Sequence, residues 1–395
     1  MEGLKVGRKN RSFVVPIGPY HPTLKEAEYF KIEVEGERII DADIKVGYTH
    51  RGIENIAMHR TYWRDIFLFE RVCGICSGVH TNTFCQTVEE LVGIEIPERA
   101  KYLRTILLEL ERIHSHLLWF GVGLHIIGFD TLFMHVWRDR EIVQDILEML
   151  TGNRVNYAYN KFGGVRRDLS PTLAKGINEK LDLMDKALKT LFQELTSDPL
   201  IFARVKDIGI LDKNTAKKYC VAGPTARASS VAIDVRKDDP YDAYDKIDWS
   251  VSVYDSCDIL ARVLVRYEEL VEAVKIIRQA IKDLPEGPIS VEFDDFPEGI
   301  ATSRCEAPRG ELFYYIKSNG TNIPERVKVR TPSYVNIPSV KPMLIDETIA
   351  DMPIILASVD PCFSCTDRVT IVDVRKNRKY TVTFEELEQK FRRKR

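Results

Sequence analysis

The sequence predicts an α+β protein, a mainly helical core with small antiparallel β-layers near the N- and C-termini. Apolar residues alternate in short runs before about residue 50, recur at three- and four-residue spacing through the middle, and alternate again in the last third. Residues 12–47 read as short strands: an apolar run at 13–17, a Gly-Pro turn, then an alternating run from Tyr29 up to Gly36. Beyond Arg51 the period becomes helical. Pro97 opens a long segment carrying Leu103, Ile106, Leu107, Leu110, Ile113 and Leu117, the spacing of one buried face. Further helices are predicted over 138–150, 172–195 and 251–284, the last stopped by Pro285-Glu286-Gly287-Pro288. Residues 289–331 turn back to short extended segments. The runs 369–374 and 379–384 read as a hairpin, followed by a short charged helix from Glu385. This divides the chain into an N-terminal β-layer (1–50), a helical core with the first Cys-x-x-Cys (51–285), a β-rich closing segment with the second (286–368) and a basic extension (369–395).

Composition excludes several function classes. With 57 basic and 59 acidic residues the net charge is −2, which recommends neither nucleic acid nor an anionic membrane as a partner. Only the last 27 residues are distinctly basic, and a solvated tail accounts for that. No apolar run approaches the roughly 20 residues that cross a bilayer, and no apolar signal-type stretch follows the first residues, which points to the cytoplasm. Eight cysteines, four of them in two Cys-x-x-Cys pairs, suggest metal or redox chemistry in a reducing compartment rather than a disulfide framework.

The chemistry concentrates in Glu70-Arg71-Val72-Cys73-Gly74-Ile75-Cys76-Ser77-Gly78-Val79-His80 and Asp360-Pro361-Cys362-Phe363-Ser364-Cys365-Thr366-Asp367-Arg368. Each Cys-x-x-Cys turn directs two sulfurs to one side, and two such turns make a four-sulfur site for a soft or borderline metal. A structural zinc is one reading. Zinc ribbons, however, keep their pairs within about 15–20 residues of each other, whereas 285 residues intervene here. A site closed by opposite ends of a core-rich chain is not needed for local folding, which favours a functional metal and leaves zinc open. His80, four residues beyond Cys76, would stand one helical turn away and could hydrogen-bond its sulfur. His114 and His116 lie on the long apolar helix, where a core histidine is the simpler reading. Cys85, Cys220, Cys257 and Cys305 stand singly and are given no role.

These segments resemble the large subunits of nickel-iron hydrogenases, with R-x-C-G-x-C-x-x-x-H early and D-P-C-x-x-C late. Also similar are Glu306-Ala307-Pro308-Arg309-Gly310 and Gly223-Pro224-Thr225-Ala226-Arg227-Ala228-Ser229. Gly18-Pro19-Tyr20-His21-Pro22 and Gly47-Tyr48-Thr49-His50-Arg51-Gly52-Ile53-Glu54 resemble the group shared by membrane-bound, energy-converting hydrogenases and the quinone-site subunit of complex I. The resemblance spans about residues 12–368. Complex I subunits lack the four cysteines, whereas sulfur-reducing relatives are a closer competitor.

The resemblance implies a nickel held by Cys73, Cys76, Cys362 and Cys365, with Cys76 and Cys365 bridging to an iron that carries carbon monoxide and cyanide. It implies that Glu26 hands protons to or from Cys362, and that Arg309 caps the iron with directed hydrogen bonds. Asp360, beside the second pair, joins His80 and Arg309 among the residues expected to hold the cofactor. No further cysteine grouping could hold iron-sulfur clusters, so these are expected only in partner subunits, beginning with a small iron-sulfur subunit. Ferredoxin as donor, membrane antiporter-like subunits, ion translocation and a peripheral place on the cytoplasmic side of the cell membrane are further implications. Alternatives are a sulfur or polysulfide reductase subunit, and a complex I-like scaffold with structural zinc. Arg368 stands where soluble relatives end in histidine, and cleavage there, as in many family members, would remove 27 residues.

Overall fold

The computed structural model describes residues 12–21, 24 and 26–366 and the backbone of 371–373 and 378–380. Strand β1 (Ser12–Ile17) pairs antiparallel with β2 (Tyr29–Glu35), which pairs with β3 (Arg38–Lys45). The alternation in β2 buries Phe30, Ile32 and Val34 on one face. There follow α1 (Ile53–Ala57), α2 (Tyr62–Phe69), α3 (Ser77–Val92), α4 (Glu98–Ile126) and α5 (Asp130–Thr151). A small ribbon, β4 (Asn160–Lys161) with β5 (Gly164–Val165), precedes α6 (Pro171–Ser197) and α7 (Pro199–Val205).

The next segment, read from sequence as helical, is mostly irregular. It holds only α8 (Lys213–Lys218), α9 (Pro224–Arg227) and α10 (Val235–Asp238), because Asp212, Gly223-Pro224 and Asp234 start helices that turn-forming neighbours end within two turns. α11 (Ile259–Lys282) starts later than predicted, because Asp258 caps it by accepting from Ala261 N at 2.8 Å and Cys257 sits in left-handed backbone. α5 conversely starts earlier than its apolar spacing indicates, since its first two turns carry few buried residues.

The closing sheet runs β6 (Glu298–Ala307), β7 (Gly310–Asn319), β8 (Arg326–Arg330) in antiparallel order, with strands longer than the sequence suggested. α12 (Pro332–Asn336), α13 (Val340–Leu344) and α14 (Met352–Ser358) lead into a single 3-10 turn at Phe363–Cys365. The predicted hairpin is present as β9 (Ile371–Asp373) with β10 (Arg378–Tyr380). The predicted helix from Glu385 and the cleavage position at Arg368 lie outside the described residues. Among the described residues no helix is long and apolar enough to cross a membrane.

Two apolar clusters organise the fold. The larger gathers α2 to α6, α11 and the closing sheet around α4; the smaller packs the N-terminal sheet on α13, α14 and the segment 205–231. Leu103, Ile106, Leu107 and Leu110 of α4 are fully buried, and each such side chain stabilises by about 1.5–3 kcal/mol. The next two turns of the same helix bury Glu109, Glu111, Arg112, His114, Ser115 and His116 as completely. Such charges cost several kcal/mol apiece unless paired. The ionised ones are paired across the chain, Arg112 with Glu109 and Glu109 with Arg236; burial lowers the His116 pKa to about 4, so its neutral ring bonds Glu269, which meets Arg227. From this polar stretch Glu111 reaches the helix that follows the first cysteine pair, and Ser115 reaches Arg309.

Candidate metal centre

The first pair lies where α2 has ended and α3 begins. Cys76 is the N-cap of α3 but offers no side-chain cap; instead Glu111, reaching from α4, accepts from Gly78 N at 2.6 Å and Val79 N at 2.8 Å. A Cβ on Gly78 would meet that carboxylate at 3.2 Å, so glycine there makes room for it. The second pair lies in the 3-10 turn after Asp360, a non-glycine residue with φ 53°. Its backbone is held by several distant side chains: Thr49 Oγ1 donates to Phe363 O (2.7 Å), Thr331 Oγ1 to Cys365 O (2.8 Å), Cys362 N donates to Ser333 Oγ (3.0 Å), and Glu26 accepts from Phe363 N and Ser364 N.

These supports bring buried sulfurs together. Cys362 Sγ lies 3.4 Å from Cys73 Sγ and 3.1 Å from Cys365 Sγ, and all three lie within 4.8 Å of one another. One metal with sulfurs at ~2.3 Å requires sulfur separations of about 3.3–4.6 Å. The cluster therefore fits a metal with little movement. Cys76 stands outside this three-sulfur group, and its Sγ accepts from Arg309 Nη1 at 3.2 Å. The bond from the Cys365 thiol lowers the Cys362 pKa, but the Cys73 contact and burial outweigh it and push it up to about 12. A bound cation reverses that balance, so loading releases protons. Among the described residues no other group of three such ligands occurs.

Arg309 is fixed on every side. Its Nε donates to Asp360 O (2.8 Å), its Nη2 to Asp360 Oδ1 (2.8 Å) and its Nη1 to Ser115 Oγ (3.1 Å) as well as Cys76. Burial works against its charge, but Asp360 and the cysteine sulfurs outweigh it and hold the guanidinium firmly protonated. Its backbone is set by a close approach: a Cβ on Gly223, at φ 67°, would lie 2.5 Å from Arg309 O. Asp360 Oδ2 is buried with no partner, one oxygen left facing this locus.

Glu26 sits against the second pair. It does not touch the Cys362 sulfur directly; the hydroxyl of Ser364 donates to Glu26 Oε1 and stands 3.9 Å from Cys362 Sγ. Burial, then the Cys362 charge, raises its pKa to about 7 against the opposing backbone bonds. Glu28, two residues on, is buried as well, and burial followed by the Glu26 charge raises it to about 9.

His80 departs from expectation. One turn does separate it from Cys76, as the 3.1 Å bond from His80 N to Cys76 O shows, but its ring pairs with Tyr314 Oη at 2.8 Å rather than with the sulfur. The reason is the side-chain direction on α3, which turns the ring toward β7. Burial, then Arg51, lowers its pKa to about 3, so it is neutral. His114 meets Arg140 and Gln144, and His116 meets Glu269; both are core histidines.

Besides Ser364, three residues at the locus have no role in the reading of the sequence. Arg51 donates to Arg71 O (2.9 Å), Val72 O (2.8 Å) and Ser364 O (2.9 Å), joining the two cysteine loops from outside. Ser115 and Glu111 come from the polar stretch of α4. Charged and hydroxyl residues interrupting an apolar helical stripe were the signal that could have revealed them.

The family "Respiratory-chain NADH dehydrogenase, 49 Kd subunit" matches residues 127–296 and 292–368, and "Nickel-dependent hydrogenase" matches 51–178. The carbon monoxide-induced hydrogenase of Rhodospirillum rubrum is 41% identical over 362 residues, covering 90% of this chain and 99% of that one. The membrane-bound hydrogenase subunit alpha of Pyrococcus furiosus is 38% identical over 390 residues, covering 94% and 91%. A chain of the membrane-bound sulfane sulfur reductase, an archaeal respiratory membrane complex, superposes with a TM-score of 0.86 at 33% identity, covering 90% of this chain and 98% of that one. Four cysteine thiols at the locus suit the nickel-iron centre that such kinship implies. The chain belongs to the family that joins the large subunits of energy-converting [NiFe] hydrogenases to the 49 kDa subunit of complex I, and within it is an oxidoreductase of the [NiFe] hydrogenase type.

Proposed function

We propose that this chain forms or splits hydrogen as the catalytic subunit of a complex I-related membrane assembly, its metals held by Cys73, Cys76, Cys362 and Cys365. The observation that carries this reading is the meeting of both cysteine pairs, from opposite ends of the chain, beneath the guanidinium of Arg309. The nickel-iron group, with carbon monoxide and cyanide on iron, supplies soft redox-active metals at which hydrogen reacts heterolytically. Cys362 holds a proton at its sulfur. Glu26 exchanges that proton through the Ser364 hydroxyl between them, and Glu28 is the next buried acid. Arg309 presents a fixed charge with two directed N–H edges, and Asp360 orients it. Electrons from ferredoxin reach the metals through a small iron-sulfur subunit, and membrane antiporter-like subunits couple proton reduction to ion translocation. The chain then lies peripherally on the cytoplasmic side of the cell membrane.

A second reading, sulfur or polysulfide reduction, is favoured by the match to the sulfane sulfur reductase chain. Nickel and iron analysis of the purified complex, with an infrared search for metal-bound carbon monoxide and cyanide, tests the metal centre. Zinc alone would overturn both enzyme readings. A hydrogen-evolution assay set against polysulfide reduction then separates them.

A further inference from the structure

We propose that Glu111 is a positioning residue that, through one turn of α4, sets the separation between the Cys76 sulfur and the Arg309 guanidinium. This rests on the reading of Cys76 as a metal ligand.

Three neighbouring residues of α4 grip the two sides of the locus. Glu111 takes the first two free N–H groups beyond Ser77 in α3, Gly78 N and Val79 N, and so fixes the helix mouth from which Cys76 projects. Arg112 Nη2 donates to Glu306 O at 2.8 Å, just before the corner that carries Arg309. Ser115 Oγ, one turn beyond Glu111 on the same face, accepts from Arg309 Nη1, which also reaches Cys76 Sγ. The α-helix fixes the Glu111-to-Ser115 offset at about 6 Å along its axis. Cys76 and Arg309, 233 residues apart in sequence, thereby share one rigid reference.

A helix N-terminus is usually capped by a local Ser, Thr, Asp or Asn. Cys76 occupies the cap position with its sulfur turned to Arg309 and gives no such bond. Glu111 supplies the missing acceptor from another element, which leaves the cap side chain available as a ligand. The alternative is that Glu111 serves only to satisfy buried amides and has no bearing on the site's geometry.

The test uses the intact complex with Glu111→Gln, Glu111→Ala and Ser115→Ala. Hydrogen exchange by mass spectrometry over peptides covering Gly78 and Val79 reads the anchor without reference to any metal. Losing both bonds in Glu111→Ala should speed exchange there by roughly tenfold or more, with a smaller rise in Glu111→Gln, whose amide still offers one acceptor. The nickel paramagnetic spectrum and the metal midpoint potential read the geometry. Glu111→Gln should retain nickel with shifted g-values and a shifted potential, and Ser115→Ala should shift the same quantities without altering exchange at Gly78. Unchanged exchange in Glu111→Ala would overturn the anchor. Nickel-loaded Glu111→Gln with parental g-values and potential, or loss of nickel from Glu111→Gln while Ser115→Ala matches the parent, would overturn the positioning role. Nickel absent from the parent complex would instead count against the metal assignment, while the exchange data still decide the anchor.

Discussion

The two cysteine pairs reach one locus by opposite means. Cys73 and Cys76 sit at the mouth of a regular helix inside the large apolar cluster, and a single carboxylate from α4 secures that helix. Cys362 precedes and Cys365 ends a three-residue turn whose backbone groups are taken one by one, by Glu26, Thr49, Thr331 and Ser333 among others. A helix satisfies most of its own polar groups and needs help only at its ends, whereas an irregular turn needs a separate partner for each. The first pair is thus held by architecture and the second by long-range side-chain bonds. Arg51 touches both loops and is the outer link between them.

Replacing any of Cys73, Cys76, Cys362 or Cys365 by Ser should abolish hydrogen turnover if they are the proposed ligands, because a hydroxyl is a poor substitute for a soft thiolate. Cys76 is the sharpest case, since its sulfur lies outside the three-sulfur group. Full turnover and parental nickel in Cys76→Ser would show that the pairs contribute unequally.

Glu26→Gln should cut hydrogen evolution and proton/deuterium exchange by about a hundredfold or more while nickel content stays near the parent's. The amide oxygen can still accept from Phe363 N or Ser364 N, so the turn keeps part of its support. Loss of nickel instead would mean that Glu26 holds the second pair rather than moving protons.

Arg309→Lys should keep both metals and lower turnover about a hundredfold, because an ammonium retains the charge but not the fork that spans Asp360, Ser115 and Cys76. Lysine and alanine variants that both match the parent, at equal metal content, would make Arg309 a structural arginine.

The smallest effect concerns α2, which leads to the first pair. Asp65 is fully buried with neither carboxylate oxygen partnered, and burial, only partly opposed by Arg60, raises its pKa to about 8. Between its ordinary value of about 4 and 8 the folded protein binds the extra proton, so this group's contribution to stability falls as pH rises through that window. Asp65→Asn should flatten the fall and raise the melting temperature at pH 8, leaving turnover at neutral pH unchanged. An unaltered pH dependence of melting would show that Asp65 is solvated or paired in solution.

The long helices and the two sheets at the ends were readable because periodicity reports burial directly: α4 starts beside Pro97 as predicted, and α6 starts one residue before the predicted 172. The segment around Gly223 and Asp234 was not readable, because its conformation follows from tertiary partners such as Arg309 and Glu306 rather than from local pattern. At the locus, spacing singled out the cysteines, and resemblance pointed to Glu26 and Arg309. The ring of His80 was misread because one-turn spacing gives proximity of backbones, not the side-chain direction. Ser364, Ser115, Glu111 and Arg51 act through contacts spanning up to hundreds of residues, which no local window contains.

The separation of Cys73 and Cys362 by 289 positions also sets an order of events during synthesis. At ~5–20 residues per second the ribosome needs roughly 15–60 s to travel from one cysteine to the other. Closing a loop of that length costs about 5 kcal/mol in ideal-chain entropy, which the intervening helices offset only once they have packed. For most of that interval a metal ion meeting the nascent chain finds the first pair of thiols alone, with neither Arg309 nor Asp360 yet made. The four-sulfur locus therefore exists only once the second pair has emerged and docked on the first, and metal loading belongs after that point rather than before it.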